Sequence, residues 1–241
     1  MRLMISAVVF AAATAVASPS LAQGTGSSSS TRPPSSSQAK PAKPKVPRPP
    51  LEYRAFFLVD ASMMAASQSF KAVAGSSTMF GYGAGGEIHN LWKKLFMRVA
   101  FASASREGER VFINGTDVIP SGFPVDLGIR TVELGGGWRM PLTNRPVALY
   151  AGGGLLFTKY TETNSSAVAL PEDDVAMSVT GYSVQGGLDM KMGKRFTVGV
   201  EAQYRIVPDA LGGNGVSALF AEDNLNAFVI RGMVGVRFGK N

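Results

Sequence analysis

Hydrophobic and polar residues alternate along several segments of the chain. From Phe196 to Ile206, every second residue is apolar or aromatic, and the residues between them are small, polar or charged. Alternation with a period of two places the two sets on opposite faces of a β-strand, whereas a helix would scatter both sets around its surface. We therefore predict a strand here, lying between two unlike environments.

The same alternation recurs often enough to predict eight strands. The other seven segments are Ala55–Met63, Phe80–Ile88, Met97–Phe101, Asp126–Met140, Val147–Lys159, Tyr182–Met190 and Phe228–Phe238. One of them changes parity, because Leu127 and Ile129 lie on one face while Val132 lies on the other. This change predicts a β-bulge near Arg130 or Thr131.

The links between the predicted strands alternate between long and short. The short links are His89–Lys94, Pro141–Pro146 and Lys191–Arg195, and they contain six basic residues and no acid. The long links are Ser67–Thr78, Glu107–Val125, Thr161–Met177 and Pro208–Asn226, and acids outnumber bases in them. Short turns at one rim and long loops at the other are typical of outer-membrane barrels, whose short turns face the periplasm. We expect the acidic outer loops to meet a surface ligand, or divalent cations that bridge them to anionic lipid.

Composition indicates which face of the strands points inward. Charged residues make up only 17% of the chain and there are 28 glycines, many of them on the polar parity, which is unlike a water-facing surface. Small residues and paired charges suit the crowded lumen of an eight-stranded barrel. We predict an all-β fold, an eight-stranded antiparallel up-and-down transmembrane β-barrel. Its predicted lumen polar network consists of Arg54, Asp60, Glu87, Arg98, Glu133, Asp189, Glu201, Arg205, Arg231 and Arg237.

The segments before the barrel have a different composition. Residues 1–22 have a positive start, an apolar run and a small-residue cleavage site, which predict a signal peptide. Residues 23–50 are rich in Pro, Ser and Lys, which predicts a disordered periplasmic linker before a barrel domain at 51–241. The net charge of +7 resides mostly in residues 1–50. It therefore does not indicate a nucleic-acid partner.

Taken together, these features resemble a known family. A leader, a Pro-rich spacer and eight alternating strands accompany the glycine-rich runs Gly81–Gly86 and Tyr150–Gly154 and the closing Val234–Phe238. The chain resembles the outer-membrane β-barrel domain of the OmpA/OmpX and opacity-protein type. The resemblance implies residence in the outer membrane, and roles in envelope integrity, adhesion or immune evasion. It also implies contact with outer-membrane lipid and lipopolysaccharide, and with the barrel-assembly machinery during biogenesis.

Little in the sequence indicates catalysis. The chain has no cysteine and one histidine, His89, so we expect no enzyme activity, no cofactor and no metal centre, and we place His89 at the rim or in a turn. The favoured function is structural, adhesive or surface-interacting, through the acidic outer loops. Two alternatives remain, a narrow passive pore and a soluble periplasmic lipocalin-like barrel that binds a ligand.

Overall fold

A computed structural model describes residues 50–115, 117–164, 174–211 and 215–239. The signal peptide and almost all of the linker that the sequence predicts lie outside these residues. Among the residues described, no helix is long and apolar enough to cross a membrane.

Eight strands and two helices make up the described chain. In chain order they are β1 (Glu52–Met64), α1 (Ser67–Ala74), β2 (Thr78–His89), β3 (Leu95–Asn114), β4 (Asp117–Pro141), β5 (Val147–Asn164), β6 (Val175–Met192), β7 (Phe196–Ile206), α2 (Gly215–Leu219) and β8 (Ala227–Phe238). The prediction of eight strands is confirmed.

The strands form a closed antiparallel barrel. Each strand pairs with the next along the chain, and β1 also pairs with β8, where Tyr53 lies opposite Phe238 and Met64 opposite Ala227. Closure leaves no sheet edge at the level of the membrane, which a strand in hydrocarbon requires. The up-and-down barrel predicted from the sequence is confirmed.

The outer wall is apolar and the inner wall is largely polar at mid-barrel. Phe80, Tyr82 and Phe57 point outward, with exposed fractions of 71%, 64% and 52%. In β7 the residues from Phe196 alternate strictly, so that Glu201 and Gln203 are buried while the apolar residues between them are outward or half-buried. This is the inverted pattern of a barrel in lipid, polar within and apolar without.

The bulge predicted near Arg130 or Thr131 is wrong. Strand β4 keeps an unbroken register with both neighbours from Val125 to Trp138, and the only shift against β3 lies further out, between Glu109 and Val111. The parity changes in the sequence because Leu127 and Ile129 are apolar residues that face the lumen.

The long links contain more regular structure than predicted. The first holds α1, whose Phe70 and Ala74 are buried and which ends at Gly75, a residue with φ of 69°. That left-handed backbone favours glycine at a helix C-terminus. The second long link, Glu107–Val125, is mostly strand, because β3 runs to Asn114 and β4 starts at Asp117.

Apolar side chains close the lumen at the end where the long links lie. They come from the strand ends nearest the long links, and from the links that follow β1 and β7. We call the following cluster the apolar plug: Met64, Ala66, Phe70, Ala74, Met79, Leu127, Ile129, Leu156, Tyr160, Val207, Ala210, Leu225, Ala227 and Val229.

Candidate functional site

Strand register builds two charged triads in the lumen. On one side, Arg54, Glu87 and Arg98 lie directly opposite one another across β1, β2 and β3. The Nε of Arg98 donates to Glu87 at 2.7 Å, and Arg54 Nη2 lies 2.8 Å from the same carboxylate. A shift of any one of these strands by one residue would turn its charged side chain into the lipid, so the pairing specifies the register.

The second triad crosses β7, β8 and β1. Arg231 lies opposite Glu201 on β7 and Asp60 on β1. Its Nε and Nη2 donate to the two oxygens of Asp60 at 2.8 and 3.2 Å, and its Nη1 donates to Glu201 at 3.1 Å. Two parallel N–H donors matched to a carboxylate form the strongest class of ion pair in proteins.

Side chains that reach across the lumen join the triads. Arg98 donates to Glu201, and Arg231 donates to Glu133 on β4 at 3.2 Å. Gln203 donates to Glu133 at 2.9 Å and accepts from Arg205, which also donates to Asp60 at 2.9 Å. The result is one connected group of buried charges, each with an oppositely charged partner.

Nine of the ten residues predicted for the lumen belong to this group, which we call the charged network. Its members are Arg54, Asp60, Glu87, Arg98, Glu133, Asp189, Glu201, Arg205 and Arg231. Asp189 joins it through Arg54, whose Nη1 donates at 2.7 Å. The tenth, Arg237, lies apart at the short-turn rim, where Nη1 donates to both oxygens of Glu52 at 3.1 Å.

Aromatic rings surround the central guanidinium of the charged network. The guanidinium carbon of Arg98 lies 5.6 Å from the ring centroid of Phe56, 5.8 Å from that of Phe96 and 5.5 Å from that of Tyr150. The Tyr150 hydroxyl donates to Glu201 at 2.9 Å. Gly187 makes room for this ring, because a Cβ there would lie 2.5 Å from the hydroxyl oxygen.

Between the charged network and the apolar plug, the lumen is almost filled. The cavity bounded by Asp60, Arg205, Thr131 and Met79 measures about 20 Å³, which is room for about one water. Arg98 and Arg231 are each at most 2% exposed. The described lumen is therefore packed at its centre.

A carboxylate from the last long link holds helix α1, which contributes Phe70 and Ala74 to the apolar plug. The N–H groups of Gln68 and Ser69, in the first turn of α1, donate to Glu222 at 3.1 and 2.8 Å. The N-cap residue, Ala66, supplies no side-chain cap of its own. Partial burial alone raises the pKa of Glu222, but the N–H groups of Ser69 and Gln68 outweigh it and hold the pKa below its ordinary value.

The short-turn mouth is basic. A cavity of about 320 Å³ is bordered there by Arg139, Lys93, Lys94, Lys191, Glu52 and His89. His89 lies at this rim, as expected, but it is buried and inward-facing rather than part of an exposed turn. Its Nε2 lies 2.7 Å from Glu87.

At the other end, β3 and β4 extend beyond the barrel. The pairs between β2 and β3 end at Ala104, and those between β4 and β5 begin at Val125. Residues 109–115 and 117–124 therefore form a two-stranded ribbon, which we call the ribbon, and no other strand of the described chain pairs with it. Exposed apolar side chains on it are Phe112, Ile113, Ile119 and Phe123.

The acidic loop residues serve internal contacts as well as the surface. Glu109 accepts the N–H of Gly122, and Asp174 accepts that of Asn164 at 3.0 Å. Glu172 and Asp173 lie outside the described residues. Within the described ranges, no three acidic or histidine side chains gather in a group that could hold a metal ion.

The ten-residue network predicted from the sequence omits several residues that complete the lumen. Three of them are buried and hydrogen-bonded in the lumen, namely Tyr150, Gln185 and Gln203. A fourth, Arg139, lies toward the short-turn mouth, with its Nε 3.5 Å from Asp189. Strand parity alone assigns Gln185 and Gln203 to the lumen. It does not give the contacts, because these depend on the register between strands.

The family model described as "Outer membrane protein beta-barrel domain" matches residues 46–238. No curated protein matches the chain in sequence.

Among solved structures, the chain is similar to two outer-membrane proteins of other organisms. Neisserial surface protein A is 14% identical, with a TM-score of 0.52 and coverage of 78% of this chain and 97% of that one. The attachment invasion locus protein Ail of Yersinia pestis, solved with the heparin analogue sucrose octasulfate, is 14% identical, with a TM-score of 0.48 and coverage of 78% and 99%. The family model spans the whole barrel, so the chain belongs to the outer membrane protein β-barrel domain family and is an outer-membrane barrel protein.

Proposed function

We propose that this protein is a non-catalytic barrel that holds the ribbon outside the outer membrane as a surface for adhesion or another macromolecular contact. The length of β3 and β4 carries the proposal. A strand needs about 9–11 residues to cross a membrane, whereas β3 has 20 and β4 has 25. The excess lies at the long-link end, which faces outward in this class of barrel.

The chemistry of the ribbon supports a role in binding. Phe112 and Ile119 face each other across the two strands, with exposed fractions of 58% and 47%. A group of apolar side chains exposed to water marks a site of contact with another molecule, because such side chains are normally buried inside the protein. The exposed acids Glu107 and Asp117 lie on the same hairpin, so we propose a partner surface that is apolar and basic.

The packed lumen argues against the two alternatives. A passive pore needs a continuous water path, and the described lumen has room for about one water between the charged network and the apolar plug. A lipocalin-like carrier needs an apolar ligand cavity within and a polar wall outside. The outer wall of this barrel is apolar instead.

The position of the histidine bears on whether the protein has an enzyme activity. The sole histidine, His89, lies at the short-turn mouth and contacts Glu87, away from the ribbon. We propose no enzyme activity and no nucleic-acid partner. The proposed partners are outer-membrane lipid and lipopolysaccharide around the apolar wall, the barrel-assembly machinery during insertion, and a surface ligand at the ribbon.

Chemically defined surfaces test the proposal. Cells of a non-adherent Gram-negative strain that express the full chain would be applied to methyl-terminated and amine-terminated monolayers. We expect the wild type to attach to both more than the empty-vector strain does. Phe112→Ser/Ile119→Ser should lose attachment to the methyl surface, and Glu107→Gln/Asp117→Asn should lose attachment to the amine surface.

The matched control is Leu142→Ser, which removes an exposed apolar side chain at the opposite rim. Gel mobility before and after boiling would verify that each variant is folded and equally abundant. If the wild type and Phe112→Ser/Ile119→Ser attach equally well, the ribbon is not the contact surface and the proposal is wrong.

A further inference from the structure

The cavity at the short-turn mouth has an excess of positive charge. Inside the barrel, the five carboxylates of the charged network face Arg54, Arg98, Arg205, Arg231 and Arg139. The five negative charges of these carboxylates equal the five positive charges of these arginines. Lys93, Lys94 and Lys191 lie further out, and within the described part of the chain none of them has a carboxylate within 4.0 Å.

The one acid on the cavity wall is already engaged. Both oxygens of Glu52 accept from Arg237 at 3.1 Å, and one of them lies 3.7 Å from Nδ1 of His89. Glu52 also faces Lys191, so this one carboxylate is shared among several cations and cannot neutralise all three lysines. The lining of the cavity therefore has a net positive charge.

Arg139 borders the same cavity and has unused donors. It is 8% exposed, yet among the residues that the structure describes neither its Nε nor its Nη2 has a hydrogen-bond partner. Its Nε lies 3.5 Å from Asp189, whose other oxygen accepts from Arg54 at 2.7 Å. A buried guanidinium with unpaired N–H groups is costly, and an acceptor brought into the cavity would relieve that cost.

We infer that this cavity, bordered by Arg139, Lys93, Lys94 and Lys191, binds a phosphate-class anion. Arginine offers a planar fork of donors that matches phosphate, and lysines supply compact charge around it. The short turns face the periplasm in this class of barrel, at the level of the inner-leaflet headgroups. Two sources share the chemistry, the headgroup of an anionic phospholipid and free inorganic phosphate.

Binding can be measured on the full chain folded in dodecyl maltoside, a detergent that has no phosphate group. Calorimetric titration with inorganic phosphate at constant ionic strength tests the free anion. Native mass spectrometry with added dioleoylphosphatidylglycerol or dioleoylphosphatidylcholine tests the headgroup. The test variant is Lys94→Gln/Lys191→Gln, and the matched control is Lys71→Gln/Lys159→Gln, which removes the same charge from exposed positions toward the other end.

We expect saturable binding by the wild type, weakened about tenfold or more in Lys94→Gln/Lys191→Gln and unchanged in the control. Retention of phosphatidylglycerol over phosphatidylcholine, lost in the same variant, would identify the headgroup as the source. Phosphate binding without that retention would identify the free anion. If the wild type binds neither probe, or if both double variants lose binding equally, the inference is overturned.

Discussion

The two halves of the lumen are both filled, but different interactions fill them. Toward the short turns, the charged network relies on partners placed directly opposite one another, such as Arg231 and Asp60. Toward the long links, the apolar plug relies on contacts without direction, within a cluster that includes Phe70 on α1 and Leu156 on β5. The first depends on strand register, and the second depends on how links fold back over the barrel.

The largest effect is expected from breaking the charged network at its best-connected residue. Arg231→Met leaves Asp60, Glu201 and Glu133 without their shared guanidinium, and removal of one partner from a buried ion pair costs about 3–5 kcal/mol. Urea unfolding in detergent micelles measures the loss. Arg237→Met is the control. Its ion pair with Glu52 is partly exposed, so we expect at most about 1 kcal/mol, and equal losses would contradict the distinction.

A somewhat smaller effect is expected in the apolar plug. Leu156 is 0% exposed, so Leu156→Ala should reduce the free energy of unfolding by about 2–5 kcal/mol through lost burial and a new cavity. The adjacent Leu155 points outward and is 42% exposed, so Leu155→Ala should cost about 1 kcal/mol or less in the same assay. Reversed costs would mean that β5 is paired one residue out of register.

The smallest effect concerns the carboxylate that caps α1. Glu222→Gln should cost about 0.5–1 kcal/mol, because the cap is lost at a site open to solvent. The pKa of Glu222 is lowered in the folded protein, so the wild type gains this stability at pH above about 4.5 and loses it as pH falls further. The difference between wild type and variant should shrink accordingly below pH 4.5, as measured by protease cleavage of the first long link. A difference that is the same at pH 4 and pH 7 would show that ionised Glu222 does not hold α1.

The sequence predicts the barrel better than it predicts what fills it. Strand parity is local, so it identifies the strands and assigns Glu87 or Gln203 to the lumen. The contacts between lumen residues depend on the register of strands that are distant in the sequence. No local pattern therefore predicts that Arg98 contacts Glu201. Leu127 and Ile129 of the apolar plug are apolar but face inward, so the change of parity predicts a bulge that β4 does not have. Helix α1 has only a weak signal in the sequence, the three- and four-residue spacing of Phe70, Val73 and Ala74. The sequence therefore predicts a loop in this link.

The contact between Glu222 and α1 also concerns how the barrel is completed. Helix α1 follows the first strand and Glu222 precedes the last, and these two strands meet only when the sheet joins end to end. The hydrogen bonds between this carboxylate and α1 therefore bridge the links on the two sides of the seam between β1 and β8. They oppose the lateral separation of the first strand from the last.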